Sequence, residues 1–107
     1  MEDISLIQTP HKNFENIKKL DENGVEYWKA RELMPLLDYS DWRNFNKVID
    51  KAKTACSNSK QSIISHFVDI NEIVTLGSGS TREIEDYKLS RYACYLIAQN
   101  GDPTKKP

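Results

Sequence analysis

Residues Tyr27–Asn58, YWKARELMPLLDYSDWRNFNKVIDKAKTACSN, decide how this chain folds. Ala30, Leu33, Leu36 and Leu37 recur at helical spacing, so the stretch opens on a short apolar helix. Pro35 is awkward inside it, because proline lacks an N–H and crowds the preceding turn. The helix must therefore begin near Met34 or kink there. Asp38-Tyr39 breaks the pattern, and Ser40 or Asp41 supplies an N-cap for the next element. Trp42, Phe45, Val48, Ile49, Ala52, Ala55 and Cys56 then repeat at spacings of three and four, which predicts an amphipathic helix through about Ser57. Its opposite face carries Arg43, Asn44, Lys47, Lys51 and Thr54. A short helix, a tight break and a longer basic helix form the layout of a helix-turn-helix, in which the first helix braces the second against DNA.

Working outward, Asp21-Glu22-Asn23-Gly24 is a turn whose Asn-Gly supplies positive backbone dihedrals. It predicts a small hairpin, roughly 17–21 with 25–29, leading into the first helix. Before it, Phe14, Ile17 and Leu20 share one short helical face, and residues 1–10 lack any period and read as a flexible arm. Beyond the polar loop SNSKQS, Ile63–Val68 opens on a helical turn, and β-branched content from Ile70 onward predicts a strand, with helix to Val74 as the alternative. Gly77-Ser78-Gly79-Ser80 is a flexible tip, and Arg82–Leu89 alternates as a return strand. Ser90 caps a final helix, RYACYLIAQN, with Tyr92, Ala93, Tyr95 and Leu96 inward, Gly101 as its C′ stop and Pro103 forbidding continuation. The expected fold is α+β: a helix-turn-helix-like pair, two β-hairpins and a closing C-terminal helix.

Composition bounds the function. The chain has 107 residues, 38% of them hydrophobic and 29% charged, with a mean hydropathy of -0.66. That describes one soluble domain with a modest core. No apolar run approaches the ~20 residues needed to cross a bilayer, and Met1–Pro10 lacks the features of a signal peptide. The cytoplasm is the expected compartment. Cys56 and Cys94 have no CxxC partner and sit among apolar residues, so they read as buried reduced thiols. The net charge of -1 conceals blocks: residues 40–60 carry Arg43, Lys47, Lys51, Lys53 and Lys60 against Asp41 and Asp50, whereas residues 61–89 carry Arg82 and Lys88 against Asp69, Glu72, Glu83, Glu85 and Asp86. Positive charge therefore gathers on the second helix and the C-terminus.

Sites for chemistry are scarce. LGSGST lacks the Gly-Lys-Ser/Thr ending of a phosphate loop and joins two strands, so a hairpin tip is the reading. His11 and His66 lack ligand-spaced partners, so no metal or other cofactor is expected. Glu83, Glu85 and Asp86 form an exposed run, unsuited to paired acid–base work, which needs burial. No nucleophile–base pair is legible, so a catalytic role is disfavoured. Arg43, Asn44, Lys47 and Lys51 remain as candidates for DNA contact, in the turns where a recognition helix meets base edges and phosphates. The bland alternative is a solvated helix face. A rival class of function is protein docking through Glu83, Glu85 and Asp86, which complement a basic partner and repel DNA. Self-association through Tyr87 and Tyr92 is a third.

Several segments carry a family resemblance: REL at 31–33, LLDYSDWRNF at 36–45, AKTACSNS at 52–59, HF at 66–67 and GSGSTREIEDYKLSRYACYLIAQNGDP at 77–103. Together they closely resemble the N-terminal region of the DNA-damage-inducible protein D family, over about residues 13–106. That family is related to the Bro-N domain of phage antirepressors and viral proteins, a module regarded as DNA-binding. The resemblance implies a bacterial protein induced in the SOS response, with a part in DNA repair and a RecA-type recombinase filament as a suggested partner. It supplies no catalytic residues. Family members are longer, so residues 11–107 are expected to be a Bro-N-like domain forming the N-terminal fragment of a longer protein.

Overall fold

A computed structural model describes residues 13–101; the expected arm at 1–10, His11 and the tail from Asp102 lie outside them. After a 3-10 turn at Glu15–Ile17 come strands β1 (Lys19–Leu20) and β2 (Glu26–Lys29), helices α1 (Ala30–Leu36), α2 (Trp42–Asn58) and α3 (Ile63–His66), strands β3 (Phe67–Thr75) and β4 (Thr81–Leu89), and helix α4 (Arg91–Gln99). The two expected hairpins are present, and they join. Trp28 pairs with Leu89 and Lys29 with Lys88, giving one antiparallel sheet of order β1-β2-β4-β3. The strand β3 begins at Phe67, three residues earlier than the β-branched content indicates, because Phe67 and Val68 continue the ladder opposite Leu89 and Lys88.

Local chemistry explains the boundaries. In the first turn only Gly24 is left-handed, at φ 80, and Asn23 is not. Asp21 organises that loop: its backbone N–H donates to the Val25 carbonyl at 3.0 Å, and its carboxylate accepts from the N–H groups of Asn23 (2.8 Å) and Val25 (3.0 Å). α1 starts at Ala30, so Pro35 falls in its last turn and the helix ends one residue later. The end is sealed by a Schellman arrangement: Asp38 N–H donates to the Pro35 carbonyl and Tyr39 N–H to that of Met34, with Asp38 at φ 67. α2 closes in the same way, Lys60 at φ 63 donating to Ser57 and Gln61 to Cys56. Gly101 does not adopt a left-handed conformation. What it provides is room, since a Cβ there would lie 3.1 Å from the Tyr39 hydroxyl.

Cross-strand partners share a face, so Trp28, Leu89 and Phe67 line one side of the sheet, with Tyr87 two residues along β4. α2 packs there chiefly against α4, and only lightly against α1. Trp28, Phe45, Ile49, Leu89 and Ile97 are fully buried at the centre. Trp28 stacks on Phe14 with ring centroids 4.2 Å apart and donates its indole N–H to the Phe14 carbonyl at 2.8 Å. On α4, Ala93, Cys94, Leu96 and Ile97 face inward, whereas Tyr95, expected inward, is 53% exposed. The outer half of the β3–β4 hairpin overhangs the helices, and most of its side chains meet solvent.

Candidate nucleic-acid interface

α2 holds its outer face outward because its inner face is fully committed. Phe45, Val48, Ile49, Ala52 and Cys56 are buried, which fixes the rotation of the rod. Asp41 caps it, its carboxylate accepting the Arg43 N–H at 3.0 Å. Arg43, Asn44, Lys47 and Lys51 are consequently all presented to solvent, as their spacing predicts. Asn44, Lys47 and Lys51 also converge on a shallow cleft of about 340 Å³, completed by Tyr39 from the α1–α2 linker and by Asn100 and Gly101 beyond α4. Arg43 stands outside it. Tyr39 and Asn100 could not be anticipated, since they come from different elements and carry no motif.

The decisive contrast lies in what the cations do. Arg91 donates to both oxygens of Glu26 at 2.9 and 3.0 Å and to Glu15 at 3.0 Å. Those bonds raise the Arg91 pKa and hold Glu26 below the usual carboxylate value. Lys18 lies near Glu15 and Glu26, Lys19 is 3.2 Å from Glu32, and Lys29 bonds to Glu72. Arg31 donates to the Glu85 carbonyl at 2.7 Å and stacks over Trp42. Lys53 covers the Tyr87 ring and Lys88 the Tyr27 ring. Among the described residues, the cations with no such partner are Arg43, Lys47, Lys51, Lys60 and Arg82. All but Arg82 belong to α2 or its C-terminal cap. Asp50, exposed on the same helix, forms no ion pair with them.

The acidic run divides. Glu83 and Glu85 are exposed, as expected, but Asp86 turns to the opposite face and is 2% exposed. Asp86 is therefore not available to a docking partner: its Oδ1 accepts from the N–H groups of Arg31 at 3.0 Å and Tyr87 at 2.8 Å. Lys29 provides no side-chain cap, so a carboxylate from β4 satisfies the first turn of α1 instead. Burial pushes the Asp86 carboxyl above its ordinary value, and the two backbone donors offset part of that rise. The alternation of a strand cannot reveal such a tertiary cap.

Other reactive side chains have structural occupations. His66 Nδ1 lies 2.6 Å from Ser90 Oγ, a pair the sequence did not reveal. That hydroxyl also accepts the Ala93 N–H at 3.0 Å and caps α4. A second hollow, about 420 Å³ between α1 and α4, is walled by Leu33, Leu36, Leu37 and Ala98. The Cys94 thiol beside it is pushed up to about 12 by burial and stays protonated. Among the described residues no three His, Cys, Asp or Glu side chains gather as a metal site would require, and no helix is long and apolar enough to cross a membrane.

Comparison with known proteins places this geometry. The chain is 50% identical over 95 residues to DNA damage-inducible protein D of Escherichia coli strain K12, a match covering 89% of this chain and 35% of that protein. It therefore spans about a third of the length of that relative. No solved structure matches it. The model of the BRO family N-terminal domain, Bro-N, matches residues 15–107, which take in the whole sheet and all four helices. The chain belongs to the BRO family, through its N-terminal domain.

Proposed function

We propose that this chain is a non-enzymatic DNA-binding domain of a damage-induced bacterial protein, working in the cytoplasm to modulate DNA repair or recombination. Arg43 and Lys47 neutralise phosphates, Lys51 extends the same track, and Asn44 reaches a base edge. One observation carries the reading: the unpartnered cations gather on α2, while nearly all the others are held by carboxylates, carbonyls or rings. A cation already paired loses part of its attraction for phosphate, whereas an unpaired, exposed one can release counterions from DNA. The concave seat formed with Tyr39 and Asn100 suits a backbone phosphate held by Lys47 and Lys51. The name of the relative, a DNA damage-inducible protein, agrees with a role in the response to DNA damage. The acidic hairpin repels DNA and so limits approach to the α2 side.

Amide shifts on adding a short duplex at low salt test this. Movement concentrated at residues 43–54 is the expected result. Shifts absent, or confined to the hairpin at 69–73 and 83–85, would overturn it. Docking on a recombinase or another repair protein is the second reading, favoured by the exposure of Glu83 and Glu85 and weakened by the loss of Asp86.

A further inference from the structure

Among the described residues, no strand pairs with the outer edge of the sheet. β3 is the terminal strand, paired with β4 from Phe67–Leu89 to Thr75–Thr81 without a bulge. Both ends of this ladder fix its phase. Leu76 N–H donates to the Ser80 carbonyl at 2.7 Å, and Ser90 N–H donates to that of His66 at 3.1 Å. Hydrogen-bonded and non-bonded pairs alternate along an antiparallel ladder. Val68, Ile70, Glu72 and Val74 therefore bond to β4, while Asp69, Asn71 and Ile73 turn their N–H and C=O groups outward.

Natural proteins guard such edges with lysine, proline or bulges. Phe67–Thr75, FVDINEIVT, has none of these. Of the seven large apolar residues exposed among the described ones, two lie on β3, Val68 (42%) and Ile73 (66%), and Leu76 (41%) follows its end. The side chains of Asp69, Asn71 and Ile73 share a face with their β4 partners Tyr87, Glu85 and Glu83. Of the β3 and β4 side chains, the exposed part of that face holds the carboxylates of Asp69, Glu83 and Glu85 and no lysine or arginine; Lys53 of α2 reaches it at the Tyr87 ring and Arg31 of α1 at the Glu85 carbonyl.

We infer that β3 receives an added strand from a partner protein, an extended segment alternating lysine or arginine with apolar residues. The outward N–H and C=O groups of Asp69, Asn71 and Ile73 supply the main-chain bonds. Asp69, Glu83 and Glu85 select the basic side chains on one face, and Val68, Ile70 and Val74 on the opposite face of β3 meet the apolar ones. A second copy of this chain fits less well, because antiparallel pairing about Asn71 would set one acidic face beside another. This docking uses a surface distinct from α2 and stands independently of DNA binding.

A blocked lysine–valine alternating heptapeptide, with its glutamate–valine counterpart as control, tests the inference. Only the lysine peptide should slow hydrogen exchange at Asp69, Asn71 and Ile73. Asn71→Pro removes one outward N–H without touching the bonds to β4, and should weaken the lysine peptide by about tenfold. Asp69→Lys should weaken it by up to about fivefold. Equal binding of both peptides, undiminished binding by Asn71→Pro, or a dimer whose β3 amides are protected without peptide would overturn the inference. Should near-UV circular dichroism show Asn71→Pro unfolded, Asp69→Lys decides, and unchanged affinity there is the contrary result.

Discussion

The outer face of α2 and the seam where β2 meets β4 and α4 use the same residue types to opposite ends. At the seam, Arg91 is locked to Glu26 and Glu15 above the Phe14–Trp28 stack, and Lys29 is locked to Glu72. On α2, Arg43, Lys47 and Lys51 extend into solvent without an ion-pair partner among the described residues. The difference teaches that charge content alone says little about function. Whether a cation is already satisfied separates a structural charge from an available one.

The largest test of this division is at the seam. Trp28→Ala removes a fully buried ring, its stacking on Phe14 and a hydrogen bond. It should cost about 3–5 kcal/mol in urea unfolding. A loss below about 1 kcal/mol would show that the seam does not hold the fold. Asp86→Ala should cost about 2 kcal/mol, by orphaning the Arg31 and Tyr87 N–H groups. Asp86→Asn keeps an acceptor and should cost much less. The sign with pH is distinctive: with its folded pKa raised, Asp86 contributes most when protonated, so its contribution declines as pH rises from the ordinary 3.8 through the elevated value. Asp86→Asn should abolish that decline.

Glu26 and Glu72 behave oppositely. Their folded pKa values are depressed by Arg91 and Lys29 respectively. Their stabilisation is present above the unfolded value of 4.5 and is lost as pH falls through the depressed one. Arg91→Gln should flatten the acid limb of the stability profile, and an unaltered limb would count against the seam network. The smallest effect is expected at the end of α2. Lys60→Gly relieves a left-handed residue at φ 63 and should raise stability by about 1 kcal/mol without altering the outer face upstream.

What the sequence revealed follows from the range of the interactions involved. α2 was legible because one helical period fixes both its buried stripe and its exposed cations, and Asp41 marks its start. The hairpins were legible from alternation and turn residues, but their fusion through Trp28 and Leu89 was not, because nothing local records that pairing. Asp86 was misread for the same reason: it answers an unmet N–H of α1, distant in sequence. Tyr95 shares the α4 stripe but turns to solvent, while Cys94 and Ile97 take the inward positions. Of the candidate cleft, the α2 residues could be read, and Tyr39 and Asn100 could not.

The salt dependence of duplex-DNA affinity, measured for this chain and for a variant with Arg43→Ala, Lys47→Ala and Lys51→Ala, tests the division most directly. Unfolding free energies of the two should agree within about 0.5 kcal/mol, as for surface sites without partners. The slope of log affinity against log salt should flatten by roughly 0.9 for each phosphate that is no longer neutralised. A slope unmoved by the triple substitution would contradict the account, and would leave the exposed cations of α2 as a solvated helix face.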